Sequence, residues 1–208
     1  MKPLLKIAIP LIAMGCIQSS LVFFQTVFLA HVNADVLAAA ALGGWLYGTL
    51  VVIAFGTMSA INVLVSHKRG ENDQVGLGDV LRDGVLLAFI MAIPSFLLLW
   101  YGSHLFLYVG QNQHITLLAM QYLRPLAWST LPNLINIAFL EFIIGLGRTR
   151  IVLIFTIVDV LLSVALNYVL IFGLYGFPKL GITGIGWSGV INCLILISVV
   201  ITYMPYVH

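Results

Sequence analysis

Long apolar runs separated by short polar connectors make up most of the chain. Residues 7–30, 42–65, 84–108, 116–144, 151–174 and 184–206 each approach or exceed the ~20 apolar residues that a helix needs to cross a ~30 Å hydrocarbon core. The connectors are "HVNAD", "HKRGENDQVGLGDVLRD", "GQNQH", "GLGRTR" and "YGFPKLGITG", all rich in Gly, Asn, Pro or charge. This pattern predicts an all-α, polytopic membrane protein, with residues 1–208 forming a single bundle of six transmembrane helices. The runs are too long and too uniformly apolar for the alternating strands of a barrel, and an open sheet would leave backbone groups unpaired in lipid. The 66–83 segment is the one sizeable polar stretch and reads as a solvated loop.

The start, "MKPLLKIAIPLIAMGC", imitates a secretion signal and hints at a lipoprotein box ending on Cys16. Its apolar character continues to about Leu29, however, beyond the ~7–15 residues of a signal's hydrophobic region. Ala13 also stands where such a box has a larger aliphatic residue. A first membrane span is the better reading.

Composition changes the picture in one respect. With 62% hydrophobic and 8% charged residues and a mean hydropathy of +1.12, the chain falls far below the ~25% charged content of soluble domains. So few charges cannot cover a water-facing surface, and the solvent is a lipid bilayer. The net charge of +2 is small and scattered, which gives no reason to expect a nucleic-acid partner. Cys16 and Cys193 lie in apolar runs without ligand spacing and read as small core residues.

Charge does fix an orientation. Lys2, Lys6, Lys68, Arg69, Arg82, Arg148 and Arg150 fall on one side, whereas the loops of the other side carry only Lys179, with Arg124 near the outer start of span 4. By the positive-inside rule the first side is cytoplasmic, and with six spans both termini are cytoplasmic. Arg124 is expected to snorkel toward the outer interface. Trp100, Tyr101, Tyr108, Trp128, Tyr203 and Tyr206 suit an interfacial belt.

Polar residues inside the spans are where function is expected, because a charge at mid-bilayer costs ~2.5–3.5 kcal/mol on insertion scales. Span 5 carries Thr156, Asp159, Ser163 and Asn167 at spacings of three or four, which places them in one stripe. Gln18, Ser19, Gln25 and Thr26 in span 1, Thr57, Ser59 and Asn62 in span 2, and Ser129, Thr130, Asn133 and Asn136 in span 4 are expected to turn the same way, around a polar cleft. The alternative is that such groups only join helices by hydrogen bonds. Asp159 differs from the rest: an amide is satisfied by one neighbour, whereas a buried carboxylate takes up a proton or needs a cation. Its alternative role is a structural hydrogen bond to a neighbouring helix. Glu141, seven positions before Arg148, is expected to pair with it. Gly44 and Gly48 form a small-xxx-small pair of the kind that lets helices approach closely.

Several activities are disfavoured. No P-loop or glycine-rich phosphate cradle appears, which argues against an ATP-driven pump within this chain. His31, His67, His104, His114 and His208 all lie at loops or termini, and no GxSG, HExxH or paired-aspartate motif is present. The chain therefore reads as a non-enzyme without a catalytic or metal site.

Some stretches carry a family resemblance. "GLGRTR" followed by "ALNYVLIFGLYGFPKLGITGIGWSGVI" resembles the end of span 4, span 5 and the span 5–6 connection of MATE (multidrug and toxic compound extrusion) transporters. "FFQTVFLAHVNADVLAAAALGG" and "FGTMSAINVLVSHKRGENDQVGLGDVLRDG" resemble the first span and loop, and the second span with its loop, of the bacterial NorM-like branch. The similarity covers nearly the whole chain in order. It implies one lobe of a fold with two six-helix bundles, in the bacterial inner (plasma) membrane, and export of organic cations coupled to H⁺ or Na⁺, with no other cofactor. The chain corresponds to the N-terminal lobe alone. It is expected either to need a C-terminal MATE half as partner or to be a truncated, non-transporting fragment or interaction subunit.

Two departures bear on coupling. Where many bacterial members have an aspartate in a "DT" pair, this chain has Gln25 in "QT". The family's span 5 pattern "N…LN" or "N…LD" falls on Ser163 and Asn167, again without charge. The nearest carboxylate is Asp159, one turn from Ser163, or about 6 Å along the helix. The expected ion- and substrate-binding set is therefore Asp159, Ser163, Asn167 and Gln25.

Overall fold

The computed structural model describes residues 2–174 and 176–203. Tyr206 and His208 lie outside the described residues, as do the side chains of Lys2, Lys6 and Tyr203. Among the described residues the helices are α1 (Lys2–Ala30), α2 (Ala34–Gly70), α3 (Gln74–Tyr101), α4 (Ser103–Tyr108), α5 (Gln113–Gly145), α6 (Thr149–Phe172) and α7 (Ile182–Tyr203). All except α4 are long and apolar enough to cross a membrane, giving the six expected spans and a multi-pass membrane protein.

The 66–83 segment is not a loop. α2 runs on through Gly70, α3 begins at Gln74, and only Glu71, Asn72 and Asp73 connect them, with Asn72 in the left-handed region at φ 58°. At 37 residues, α2 is about 55 Å long and far exceeds the hydrocarbon core. The charges that suggested a loop decorate helix ends projecting beyond the membrane. His67, Lys68 and Arg69 sit in the last turn of α2, where cations complement the helix dipole. Asp73 caps α3 by accepting from Gly76 N at 2.9 Å, and it also meets Lys68 Nζ at 3.0 Å.

The Gly76 N–H, and after it the Lys68 ammonium, hold the Asp73 carboxyl below the usual carboxylate range. A depressed carboxyl contributes at neutral pH and loses that contribution as pH falls through its lowered titration point. Asp73→Ala is therefore expected to speed amide exchange at Gln74–Leu77 severalfold at neutral pH. Strong acid should loosen the same turn in the unsubstituted protein, and hydrogen exchange resolved by residue reads both effects.

At the opposite end of the bundle the expected single span 84–108 is broken at Gly102 into α3 and the short α4. Gly173, at φ 71°, closes α6 in the left-handed conformation, where a Cβ would meet the Lys179 Cα at 2.8 Å. The chain then folds back, with Leu180 N donating to Leu170 O at 3.0 Å.

The helices group as α2–α3–α5 and α1–α6–α7, joined along a seam between α5 and α7. α5 is the most buried span and the least apolar, with mean hydropathy 1.3 against 1.7–2.2 for the others. Because its faces meet protein rather than lipid, it tolerates Ser129, Thr130 and Asn136 in buried positions. Close helix approach does not occur at Gly48, which faces open space, or at Gly44, where a Cβ would meet only the Tyr122 hydroxyl at 3.9 Å. It occurs at Gly145, against the Asn62 carbonyl and Val65, and at Gly186, against Pro125.

Candidate functional site

Between the two helix groups lies a cleft of about 540 Å³, floored by α5 and α7 and walled by α1, α2 and α6. Gln25, Asp159, Ser163 and Asn167 all line it. The stripe on α6 faces a second stripe on α7, and the two interlock. Asn192 Nδ2 donates to Asp159 Oδ1 and, at 2.8 Å, to Ser163 Oγ. One turn along, Ser188 Oγ lies within hydrogen-bond reach of Asn167 Oδ1 and of the Ile185 carbonyl, which its single proton serves one at a time. Ser163, Asn167, Ser188 and Asn192 are buried, and Asp159 is half-buried.

Gln25 stands across the cleft on α1, half-buried and without a hydrogen-bond partner among the described residues. On the α2–α5 side, Asn133 Nδ2 donates to Tyr47 Oη at 3.2 Å, placing a phenol ring on the wall. A smaller pocket of about 30 Å³ adjoins Asp159 from the Lys68 end, lined in part by Gln18, Asn136 and Thr156. Asp159 thus borders both spaces. Asn136 Oδ1 and Asn192 Oδ1 are buried acceptors without a partner among the described residues. Carbonyl oxygens beside a carboxylate are the ligand type that hard cations select.

The other polar residues of the spans do not join the cleft as a group. Ser19, Thr57 and Ser59 donate to carbonyls of their own helices, as does Thr26 at the cleft edge. Asn136 joins helices by donating to Cys193 O at 3.1 Å. Glu141 forms no ion pair with Arg148; it is buried against the Asn62 side chain. Cys16 is exposed on α1 rather than in the core, whereas Cys193 lines the cleft. Ser188 and Asn192 are the lining residues that sequence reading missed. Their signal was present in "WSGVIN", where the two polar residues stand four positions apart on one helix face.

Comparison with known proteins places the chain in a family and a fold. The MatE family model matches residues 10–169. The chain is 30% identical over 205 residues to the probable multidrug resistance protein NorM of Photorhabdus laumondii, covering 98% of this chain and 45% of that protein. It is 32% identical over 209 residues to the NorM protein of Pseudomonas aeruginosa, covering 99% of this chain and 43% of the relative. The crystal structure of the eukaryotic MATE transporter AtDTX14 superposes with a TM-score of 0.87 at 19% identity, over 98% of this chain and 45% of that one. An outward-facing MATE transporter of the MOP superfamily gives 0.86 at 16% identity, over 96% of this chain and 44% of that one. The chain thus spans less than half the length of the curated relatives it matches. Family model, relatives and fold agree: this six-span chain belongs to the MATE family of multidrug transporters, which are not enzymes.

Proposed function

We propose that the bundle is the N-terminal lobe of an H⁺- or Na⁺-coupled antiporter that exports organic cations. In this reading Asp159 takes the coupling ion, and Ser163, Asn167 and Gln25 line the site around it. The observation that carries the reading is Asp159, the one carboxylate among the described residues that line the polar cleft, held there by an amide from the next helix. A charged Asp159 accepts from Asn192 Nδ2; a protonated one keeps an acceptor oxygen but gains an O–H that needs an acceptor of its own, and the Asn192 oxygen is an unpartnered one close by. A cation would recruit the same oxygens directly. Either event changes the contact between α6 and α7, along which the lobe can bend. The cleft falls within the ~300–1,000 Å³ range of small-molecule sites, and Tyr47 and Tyr122 offer it aromatic faces suited to an organic cation. A second six-helix bundle is the partner this reading requires, because the chain matches less than half of its relatives' length. The basic Lys68 end, and with it both termini, would face the cytoplasm from a bacterial inner membrane.

The test is export of a fluorescent organic cation by this lobe supplied with a C-terminal MATE half, in a host lacking its own exporters. Asp159→Asn should lower export to the background of the empty host and abolish its dependence on pH or Na⁺. Unchanged export with unchanged dependence would remove Asp159 from the coupling role. Failure of the unsubstituted pair to export at all would favour a non-transporting fragment.

A further inference from the structure

On the outer surface, away from the cleft, a second concavity of about 580 Å³ runs between α3 and α5. Its floor is small, formed by Ala92 and Ala127, and exposed larger residues, Phe89, Ile93, Leu97 and Trp128, stand along it. Small floor residues between tall rims make a trough rather than the even apolar surface that a membrane helix usually shows to lipid.

The trough has a charged head. Arg124 lies one turn from Trp128 on α5, and its guanidinium sits 5.4 Å from the centroid of the Trp100 ring. Trp100 stacks on Phe96, with centroids 5.5 Å apart, so this platform continues into the trough wall. Arg124 is exposed and has no ion pair or hydrogen bond to a carboxylate among the described residues. Phe89, at the deep end, and Trp100, beneath Arg124, are eleven positions apart on α3, about 16 Å along the axis. That length is close to the ~15 Å half-thickness of a ~30 Å hydrocarbon core. A trough of one leaflet's depth, apolar throughout and headed by an unpaired guanidinium, has the dimensions and charge order of an amphiphile.

We propose that this trough binds one phospholipid of the leaflet at the α4 end, one of its two acyl chains on the Ala92–Ala127 floor and its phosphodiester on Arg124. The guanidinium fork suits a phosphate because it donates two parallel N–H bonds. A second copy of the chain fits poorly. Of its seven acidic residues only Asp35 lies at this end of the bundle, and Asp35 already faces His114 at 3.6 Å.

Native mass spectrometry of the full chain, delipidated in detergent, tests the assignment. The titrants are phosphatidylglycerol, phosphatidylethanolamine and a diacylglycerol with the same acyl chains. Both phosphate-bearing lipids should give a one-to-one adduct, with the diacylglycerol at least about tenfold weaker, the loss expected for one charge-assisted contact. Arg124→Gln should weaken both phospholipids by a similar factor without changing the diacylglycerol. Ile93→Trp, which fills the trough from an exposed position, should weaken all three. Circular dichroism should show unaltered helix content in both variants. Equal affinity for the three lipids, unchanged phospholipid binding by Arg124→Gln, or a protein dimer in place of the lipid adduct would overturn the proposal. The trough does not touch the cleft, so none of these outcomes depends on transport activity.

Discussion

Asn192→Leu is expected to destabilise the bundle by about 3 kcal/mol, read as a lowered unfolding midpoint in detergent. Leucine nearly matches asparagine in size, so the loss arises from chemistry rather than from a cavity. The amide nitrogen serves Asp159 and Ser163 together, and its removal leaves a half-buried carboxylate and a buried hydroxyl without their cross-helix donor. A hydrogen bond between membrane helices contributes only about 0.6 kcal/mol on average. Most of the expected loss is therefore the cost of the stranded carboxylate. The double substitution Asp159→Leu with Asn192→Leu should recover much of the stability, because replacing both partners by apolar groups removes the stranded charge. If the single variant unfolds with the unsubstituted protein, Asn192 does not hold Asp159.

Gly186→Val should be comparably damaging, about 3 kcal/mol, for a steric reason. A Cβ at this position would lie 2.4 Å from Pro125 Cβ and 3.1 Å from Leu126 N. Neither atom can yield: one belongs to a proline ring and the other to backbone. The α5–α7 seam would have to open, and that seam is the floor of the cleft. Gly48→Ala is the matched control, since nothing lies within 4 Å of its added methyl group. It should stay within about 0.5 kcal/mol of the unsubstituted protein. Thermal unfolding of the three proteins side by side decides the matter: equal midpoints for Gly186→Val and Gly48→Ala would mean the seam is looser than its contacts indicate.

Much of the fold was legible because lipid imposes a length on every spanning helix, and apolar runs of that length are visible in any sequence. The ends were less legible. The 66–83 segment reads as a loop when charge is equated with solvent exposure, yet a helix that leaves the membrane is charged and helical at once. The break at Gly102 carries only a short signal, the Gly102–Ser103–His104 step inside an otherwise apolar run. In the site, Asp159, Ser163 and Asn167 announced themselves by helical spacing on α6. Asn192 and Ser188 have the same spacing on α7, but their meaning depends on register. Only an antiparallel pairing in which four residues up one helix match four down the other brings Asn192 to Asp159. One sequence does not state that register. Gln25 followed from alignment with a motif rather than from its own surroundings, and it does line the cleft.

The interlocked stripes of α6 and α7 also bear on how the protein is made. Entering the bilayer alone, α6 would carry Asp159, Ser163 and Asn167 into hydrocarbon with no partner, and the carboxylate alone would cost ~2.5–3.5 kcal/mol. Asn192 and Ser188 offset that cost only once α7 lies alongside. The connection between them is short and turned sharply at Gly173, which keeps the second helix within reach of the first. Despite its high mean hydropathy of 2.2, the helix that carries Asp159 is thus best released by a translocon as half of a hairpin, and biogenesis of this segment is a two-helix event.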